Sequence, residues 1–174
     1  MLKCKKIFVL CAALAGLLLT ASCGYRMGSM MHPQIKTIAI ADVKNNSMEV
    51  LASATMRRVL AECFQTDGSL KLTSLDKADC IVYCRILSVK SKGLTWDNSR
   101  TGSDFRPTEY SLSLSGEFTV LIPGQAKPLI GKRKVSGSAT YRYLADPAIG
   151  RESGLTQACL DMAKMIVQYT TEAW

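Results

Sequence analysis

Regular alternation of apolar and polar side chains predicts a long β-strand over residues 110–122. Serine, glutamate and threonine fill the alternate positions, so we expect one buried and one solvated face. A turn signal at 123–125 precedes a second extended run at 129–143, which we predict to be the antiparallel partner. The polar face of that partner carries Lys132, Lys134 and Arg142.

Two other segments, 48–64 and 152–171, have the 3.6-residue period of amphipathic helices. Apolar runs at 35–43 and 70–75 predict two shorter strands. The run 80–89 is apolar on both faces, which predicts a strand in the interior of a sheet. One of its faces carries Cys80, Val82, Cys84 and Ile86.

Two details of the strands leave alternatives open. The polar stretch 90–108 is either a long connection or the end of a hairpin in which Leu94 and Trp96 continue the strand. Gly131 and Gly137 indicate either bulges or positions where another segment approaches the backbone closely.

The order of these elements is strand, helix, several antiparallel strands and helix. This order predicts an α+β two-layer sandwich with a mainly antiparallel sheet of four to five strands. Both amphipathic helices are expected on one face of the sheet. The opposite face would then carry Lys132, Lys134, Arg142 and the serines.

The beginning of the chain has the pattern of an export signal over residues 1–22. Three lysines precede an apolar run at 7–19 and a small pair, Ala21-Ser22. The apolar run is shorter than the roughly 20 residues that a membrane-spanning helix needs. The stretch Leu19-Thr20-Ala21-Ser22-Cys23 resembles a bacterial lipobox, so we expect lipidation of Cys23. The alternative is an ordinary signal peptide followed by an incidental cysteine.

Lipidation would hold the rest of the chain on a membrane, because two or more acyl chains anchor a protein stably. Gly28 and Pro33 interrupt regular structure after Cys23, so residues 23–34 are predicted to be a tether. Residues 35–174 are predicted to form a single domain, which is long enough to bury a core. Gly24, rather than aspartate, follows Cys23 and favours the outer membrane.

The net charge of the chain does not indicate a nucleic-acid partner. The chain has 22 basic and 14 acidic residues, and loss of the lysines at 3, 5 and 6 lowers the net charge from +8 to +5. This modest positive charge on an exported domain points instead to anionic lipid headgroups or phosphorylated glycans.

The cysteines after Cys23 allow two interpretations. Four cysteines in an oxidising compartment could form two disulfides in three pairings. We favour buried free thiols that pack as small hydrophobic side chains. The four residues are Cys63, Cys80, Cys84 and Cys159.

The sequence predicts neither an enzyme nor a metal or cofactor site. His32 is the only histidine and falls on the tether, so no Ser-His or Cys-His system can be assembled in the domain. Asp76 and Asp79 flank a predicted turn, where solvated carboxylates are ordinary. The C-x3-C spacing of Cys80 and Cys84 has no second half of the kind that a zinc ribbon requires.

Basic side chains are the one feature with binding character. Lysine and arginine suit lipid phosphates, as point charges and as bidentate donors respectively. The alternative is a solvated strand face, on which lysines also discourage pairing with another sheet. The candidates, chosen by charge, are Lys90, Lys92, Lys132, Arg133 and Lys134.

An ordered set of short motifs resembles the LPS-assembly lipoprotein LptE family. The set begins with Cys23-Gly24-Tyr25 and runs through strand 35–43 and Asn45-Asn46-Ser47 to the segment 64–72. It also includes Ala78-Asp79-Cys80-Ile81-Val82, which is similar to the run that opens the family's central strand. The order of elements matches over nearly all of the chain after the signal.

The resemblance implies a lipid-anchored protein on the periplasmic face of the outer membrane that sits inside the LptD β-barrel. It would assist assembly of the barrel, plug it and help to deliver lipopolysaccharide to the outer leaflet, without catalysis. Family members bind lipopolysaccharide through basic residues at one end of the sheet. The alternative is a structural or scaffold lipoprotein of another envelope complex that does not bind lipopolysaccharide.

Overall fold

A computed structural model of the chain describes residues 34–96, 107–142 and 147–172. The predicted signal at 1–22, Cys23 and nearly all of the tether at 23–34 lie outside these ranges.

The described residues form six strands and two helices. In chain order they are β1 (Thr37–Ile40), β2 (Lys44–Asn45), α1 (Ala52–Asp67), β3 (Lys71–Leu72), β4 (Cys80–Trp96), β5 (Pro107–Leu121), β6 (Ile130–Arg142) and α2 (Pro147–Thr171).

The strands form a single mixed sheet in the order β3-β1-β4-β5-β6, and β2 also pairs with β4. The long strands β4, β5 and β6 are antiparallel, whereas β1 is parallel to both β3 and β4. The two helices contact each other and pack on one face of the sheet. The predicted α+β sandwich is therefore confirmed, with one additional strand, β2, and with the strand predicted at 70–75 reduced to the two residues of β3. We call the covered side of the sheet the helix face and the other side the open face.

The stretch 90–108 proves to be the end of a hairpin as far as the structure describes it. β4 continues to Trp96 and β5 begins at Pro107. Register shifts at Ile86/Ser88 and Gly93/Thr95 interrupt the period of two. These irregularities explain why the sequence pattern of β4 becomes unreadable after residue 89.

The first helix begins at Ala52 rather than at residue 48. Asn45 holds the chain in a turn, since its amide donates to the Glu49 carbonyl at 2.7 Å and its side-chain oxygen accepts the Ser47 amide at 2.9 Å. Such local side-chain bonds compete with helix formation. The helix ends at Gly68, whose φ of 69° is the left-handed conformation of a C-cap.

The second helix begins at Pro147, five residues before the predicted start. Proline ends a strand but also suits the first turn of a helix, because its fixed φ is helical and its missing N–H has no partner there. Helix α2 then crosses the sheet over two glycines of the neighbouring strands. A Cβ on Gly137 would lie against the carbonyl oxygen of Ala158 and 2.7 Å from the Met162 nitrogen. Gly116 approaches the Met162 side chain in the same way.

All four described cysteines have free thiols. Cys80, Cys84 and Cys159 are buried in the core, and burial raises the pKa of each to about 12. Cys63 is half-buried, and burial also raises its pKa. The thiols therefore pack as apolar groups, as we predicted.

Among the described residues, no helix combines the length and the hydropathy needed to cross a membrane.

Candidate functional site

The open face of β4, β5 and β6 is polar from Glu117 towards the end of the β4–β5 hairpin. Strand register aligns the polar side chains there in rows. Glu117 of β5 lies between Arg85 of β4 and Lys134 of β6. The next rows towards the hairpin end carry hydroxyl groups and lysines. They are Ser88–Ser115–Ser136, Lys90–Ser113–Ser138 and Lys92–Ser111–Thr140.

Glu117 is the centre of a basic cluster on this face. Its carboxylate lies 3.1 Å from the Lys132 ammonium and 3.5 Å from the Arg85 guanidinium. The glutamate side chain is only 13% exposed, whereas Lys132 is 66% exposed and reaches into solvent. Lys44 of β2 pairs in register with Arg85 and adds a further cation. We call Lys44, Arg85, Lys132 and Lys134 the basic row.

Three members of the basic row, Lys44, Arg85 and Lys132, line a depression of about 230 Å³ together with Glu117, Asp42 and Tyr83. The Asp42 carboxylate forms an ion pair with the Arg57 guanidinium, with 3.0 Å between Oδ1 and Nη1. Arg57, which is not part of the basic row, therefore neutralises the charge of Asp42. The Glu117 carboxylate therefore shares the depression with three cations, and the depression keeps a net positive charge. Such a surface can bind a phosphate or another anion.

The predicted basic residues fall into separate groups. Lys132 and Lys134 belong to the basic row, while Lys90 and Lys92 lie on the same face but nearer the hairpin end. Four residues of β5 separate Glu117 from Ser113, the register partner of Lys90, which is roughly 14 Å along a strand. Lys90 and Lys92 make no ion pair with any residue that the structure describes.

Arg133 is on the helix face, apart from the other four candidates. Its guanidinium carbon lies 4.9 Å from the ring centroid of Tyr169 in α2. Tyr169 in turn stacks on Phe118, the register partner of Arg133. This contact is a cation–π interaction at the margin of the core and directs Arg133 away from the open face.

Two members of the basic row, Lys44 and Arg85, were missed from sequence. Arg85 could have been placed there, because it alternates with Cys84 and Ile86 and so must face away from the core. Lys44 could not, since only the parallel pairing of β2 with β4 brings it beside Arg85.

The end of the molecule beside the hairpin carries exposed apolar side chains around an ion pair. Arg151 of α2 donates to one Glu49 oxygen at 2.7 and 3.0 Å, which fixes the loop before α1 to the second helix. The exposed apolar residues on this loop and on the first turn of α2 are Met48, Val50, Leu51 and Ile149.

The chain matches the family model of LptE, lipopolysaccharide-assembly, over residues 35–170. No curated protein matches it. Solved structures with a similar fold include a hypothetical protein from Chlamydia trachomatis, at 13% identity and TM-score 0.53 over 79% of this chain and 96% of that one. A protein from Xanthomonas campestris is 8% identical, with TM-score 0.53 over 84% of this chain and 90% of that one. The PelC dodecamer from Paraburkholderia phytofirmans is 10% identical, with TM-score 0.50 over 84% and 95%. At these identities the structures establish similarity of fold alone.

Proposed function

The chain belongs to the LptE family of lipopolysaccharide-assembly proteins, and from this membership we propose that it is the lipoprotein partner of an LptD-type outer-membrane β-barrel. In this role it assists assembly of the barrel, occupies its lumen and helps to deliver lipopolysaccharide to the outer leaflet. The lipid on Cys23 holds it on the periplasmic face of the outer membrane.

The observation that carries the proposal beyond family membership is the chemistry of the open face. The rows nearest the end of the β4–β5 hairpin carry hydroxyl groups. The basic row places four cations around the single carboxylate of Glu117. The lumen of an outer-membrane barrel is polar, so a polar sheet face can lie against it without burying unpaired apolar surface. Exposed lysines at the same face can bind the phosphates of lipid A.

The proposed mechanism requires no catalysis. A folded sandwich inside a barrel supplies fixed polar contacts to the wall, and the cations hold the glycolipid by its phosphates while it passes. Charge-assisted hydrogen bonds are strong enough to orient the phosphates, and exposed ion pairs are weak enough to release them. The exposed apolar end around Glu49 and Arg151 offers a further contact for the partner.

Co-purification from outer membranes tests the proposal. The tagged, lipidated protein is extracted in mild detergent, and its partners are identified by mass spectrometry. We expect a stoichiometric large β-barrel of the LptD type. A matched control is an unrelated outer-membrane lipoprotein that carries the same tag and is expressed at the same level.

Recovery of the protein without any large barrel would contradict the proposal. Recovery with a different envelope complex, together with failure to bind lipopolysaccharide, would support the alternative of a scaffold lipoprotein.

A further inference from the structure

A groove of about 450 Å³ lies between the C-terminal halves of the two helices. Its apolar part consists of Cys63, Leu160 and Val167, and its polar part is mainly acidic. The charged residues along it are Glu62, Asp67, Lys164 and Glu172. Arg58 pairs with Glu62 at 2.8 Å, so Asp67 and Glu172 outweigh Lys164.

Both helices also end at this groove, since Thr66 of α1 and Gln168 of α2 line it. The unpaired carbonyl groups of a helix C-terminus carry partial negative charge. The groove therefore combines an apolar floor with a negative rim.

The folded domain begins next to the same groove. The amide of Lys71 donates to the carbonyl oxygen of Lys36 at 2.9 Å, at the start of β1. Asp67 lines the groove and precedes Lys71 by four residues, so at most about 14 Å separates Lys71 from this edge of the groove. Residues 24–34 could span up to about 38 Å when extended, which is more than enough to reach it.

The composition of residues 24–34 complements the groove. This segment contains Arg26 and His32 but no acidic residue. Its apolar residues include three methionines, whose flexible side chains adapt to irregular apolar surfaces. Attachment to the domain also gives the segment an effective concentration in the millimolar range, which a separate ligand would have to exceed.

We propose that the groove between the helices is the docking site of the chain's own tether, residues 24–34. Arg26 contacts the acidic rim at Asp67 and Glu172, and the methionines cover Cys63, Leu160 and Val167. Docking would occupy the helix side of the molecule and leave the open face of the sheet accessible. The proposal does not depend on the identity of the barrel or of the glycolipid.

Cys63 provides a native reporter, because it lines the groove and is half-buried while the other three described thiols are fully within the core. In the mature, lipidated protein Cys23 is blocked. The rate of maleimide labelling of Cys63, followed by intact mass, then measures how often the groove is open.

We expect Arg26→Glu, and separately the triple change of Met27, Met30 and Met31 to Ser, to accelerate labelling of Cys63. If the tether occupies the groove about 90% of the time, its release raises the accessible fraction roughly tenfold. Lys77→Glu is the matched control, since it makes the same charge change on an exposed residue outside the groove and should leave the rate unchanged.

Charge exchange makes the test specific. Glu172→Lys combined with Arg26→Glu should restore slow labelling, because the ion pair is rebuilt in the opposite sense. Equal labelling rates in the unmodified protein and both tether variants would overturn the proposal. It would also be overturned if added lipid slowed labelling equally with and without the tether changes, since the groove would then bind acyl chains.

Discussion

At the scale of single residues, the open face depends on how the Glu117 carboxylate is shared. Lys132 and Arg85 both approach it, and Lys134 lies opposite it in register. Because one negative charge cannot neutralise several cations, the exposed lysines keep most of their attraction for an external anion. The largely buried Glu117 carboxylate therefore orients the cations of the basic row without neutralising them all.

Substitution of Arg133 and substitution of its two lysine neighbours should therefore have different effects on the affinity for lipopolysaccharide. We expect Lys132→Ala with Lys134→Ala to weaken binding roughly fivefold, since two exposed charge contacts together contribute on the order of 1 kcal/mol. Arg133→Ala should leave affinity within about twofold, because Arg133 stacks on Tyr169 on the other face. Titration of purified protein with lipopolysaccharide measures both.

Thermal unfolding of each variant is the control that separates binding from folding. An equal loss of affinity in Arg133→Ala and in the double lysine variant would show that charge alone, and not the open face, determines binding. Unchanged affinity in the double variant would remove Lys132 and Lys134 from the site.

At the scale of elements, the position of α2 depends on how closely it can approach β6. The helix passes over Gly137 so closely that a side chain there would meet the Ala158 carbonyl and the Met162 nitrogen, which are backbone atoms. Asp161 of the same helix accepts the amide of Ser138 at 3.0 Å. This bond also caps a donor at the free edge of β6 and so hinders pairing with another sheet.

Gly137→Ala should destabilise the protein, because the added methyl group must displace a helix rather than a flexible side chain. We expect the free energy of unfolding to fall by about 1–3 kcal/mol. Urea denaturation monitored by circular dichroism measures the change.

Gly131→Ala is the matched control for the change at Gly137. It makes the same substitution in β6, but a Cβ at Gly131 would meet nothing within 4 Å. We expect its effect to stay within about 0.5 kcal/mol. Similar losses at both glycines would mean that strand conformation, and not contact with α2, is responsible.

At the scale of the whole molecule, one core between the sheet and the helices contains three of the four described thiols. Cys80, Cys84 and Cys159 are buried there together with Met162 and Phe64. Burial disfavours a thiolate, which is the reactive form of cysteine, and raises the pKa of these thiols to about 12.

Thiol counting should consequently give different results for the folded and the unfolded protein. We expect four reactive thiols besides Cys23 in denaturant, and reaction of Cys63 alone, slowly, in the folded protein near neutral pH. Labelling followed by mass spectrometry counts them. Fewer than four in denaturant without reductant would show that disulfides form, in contrast to the free thiols of the structure.

Local pattern was sufficient for most of the architecture. The alternation in β5 and the helical stripes identify each element without knowledge of the others, because an element that faces one core repeats with its own period. The same alternation correctly placed Lys132 and Lys134 on the face opposite the helices. Local side-chain hydrogen bonds that compete with the helix set the start of α1. The bonds of the Asn45 side chain delay this start until Ala52.

The sequence by itself determined the α+β class, the burial of the cysteine face of β4 and the family resemblance. Only the tertiary structure decided which cations share the Glu117 carboxylate, that Gly137 but not Gly131 lies beneath a helix, and that a groove lies between the C-terminal halves of the two helices. The physical reason is that periodicity is a local property of the sequence, which shows only which side of an element is buried. Contacts such as Lys44 with Arg85 depend on which strands pair and in which register, and this is set by the packing of the whole chain.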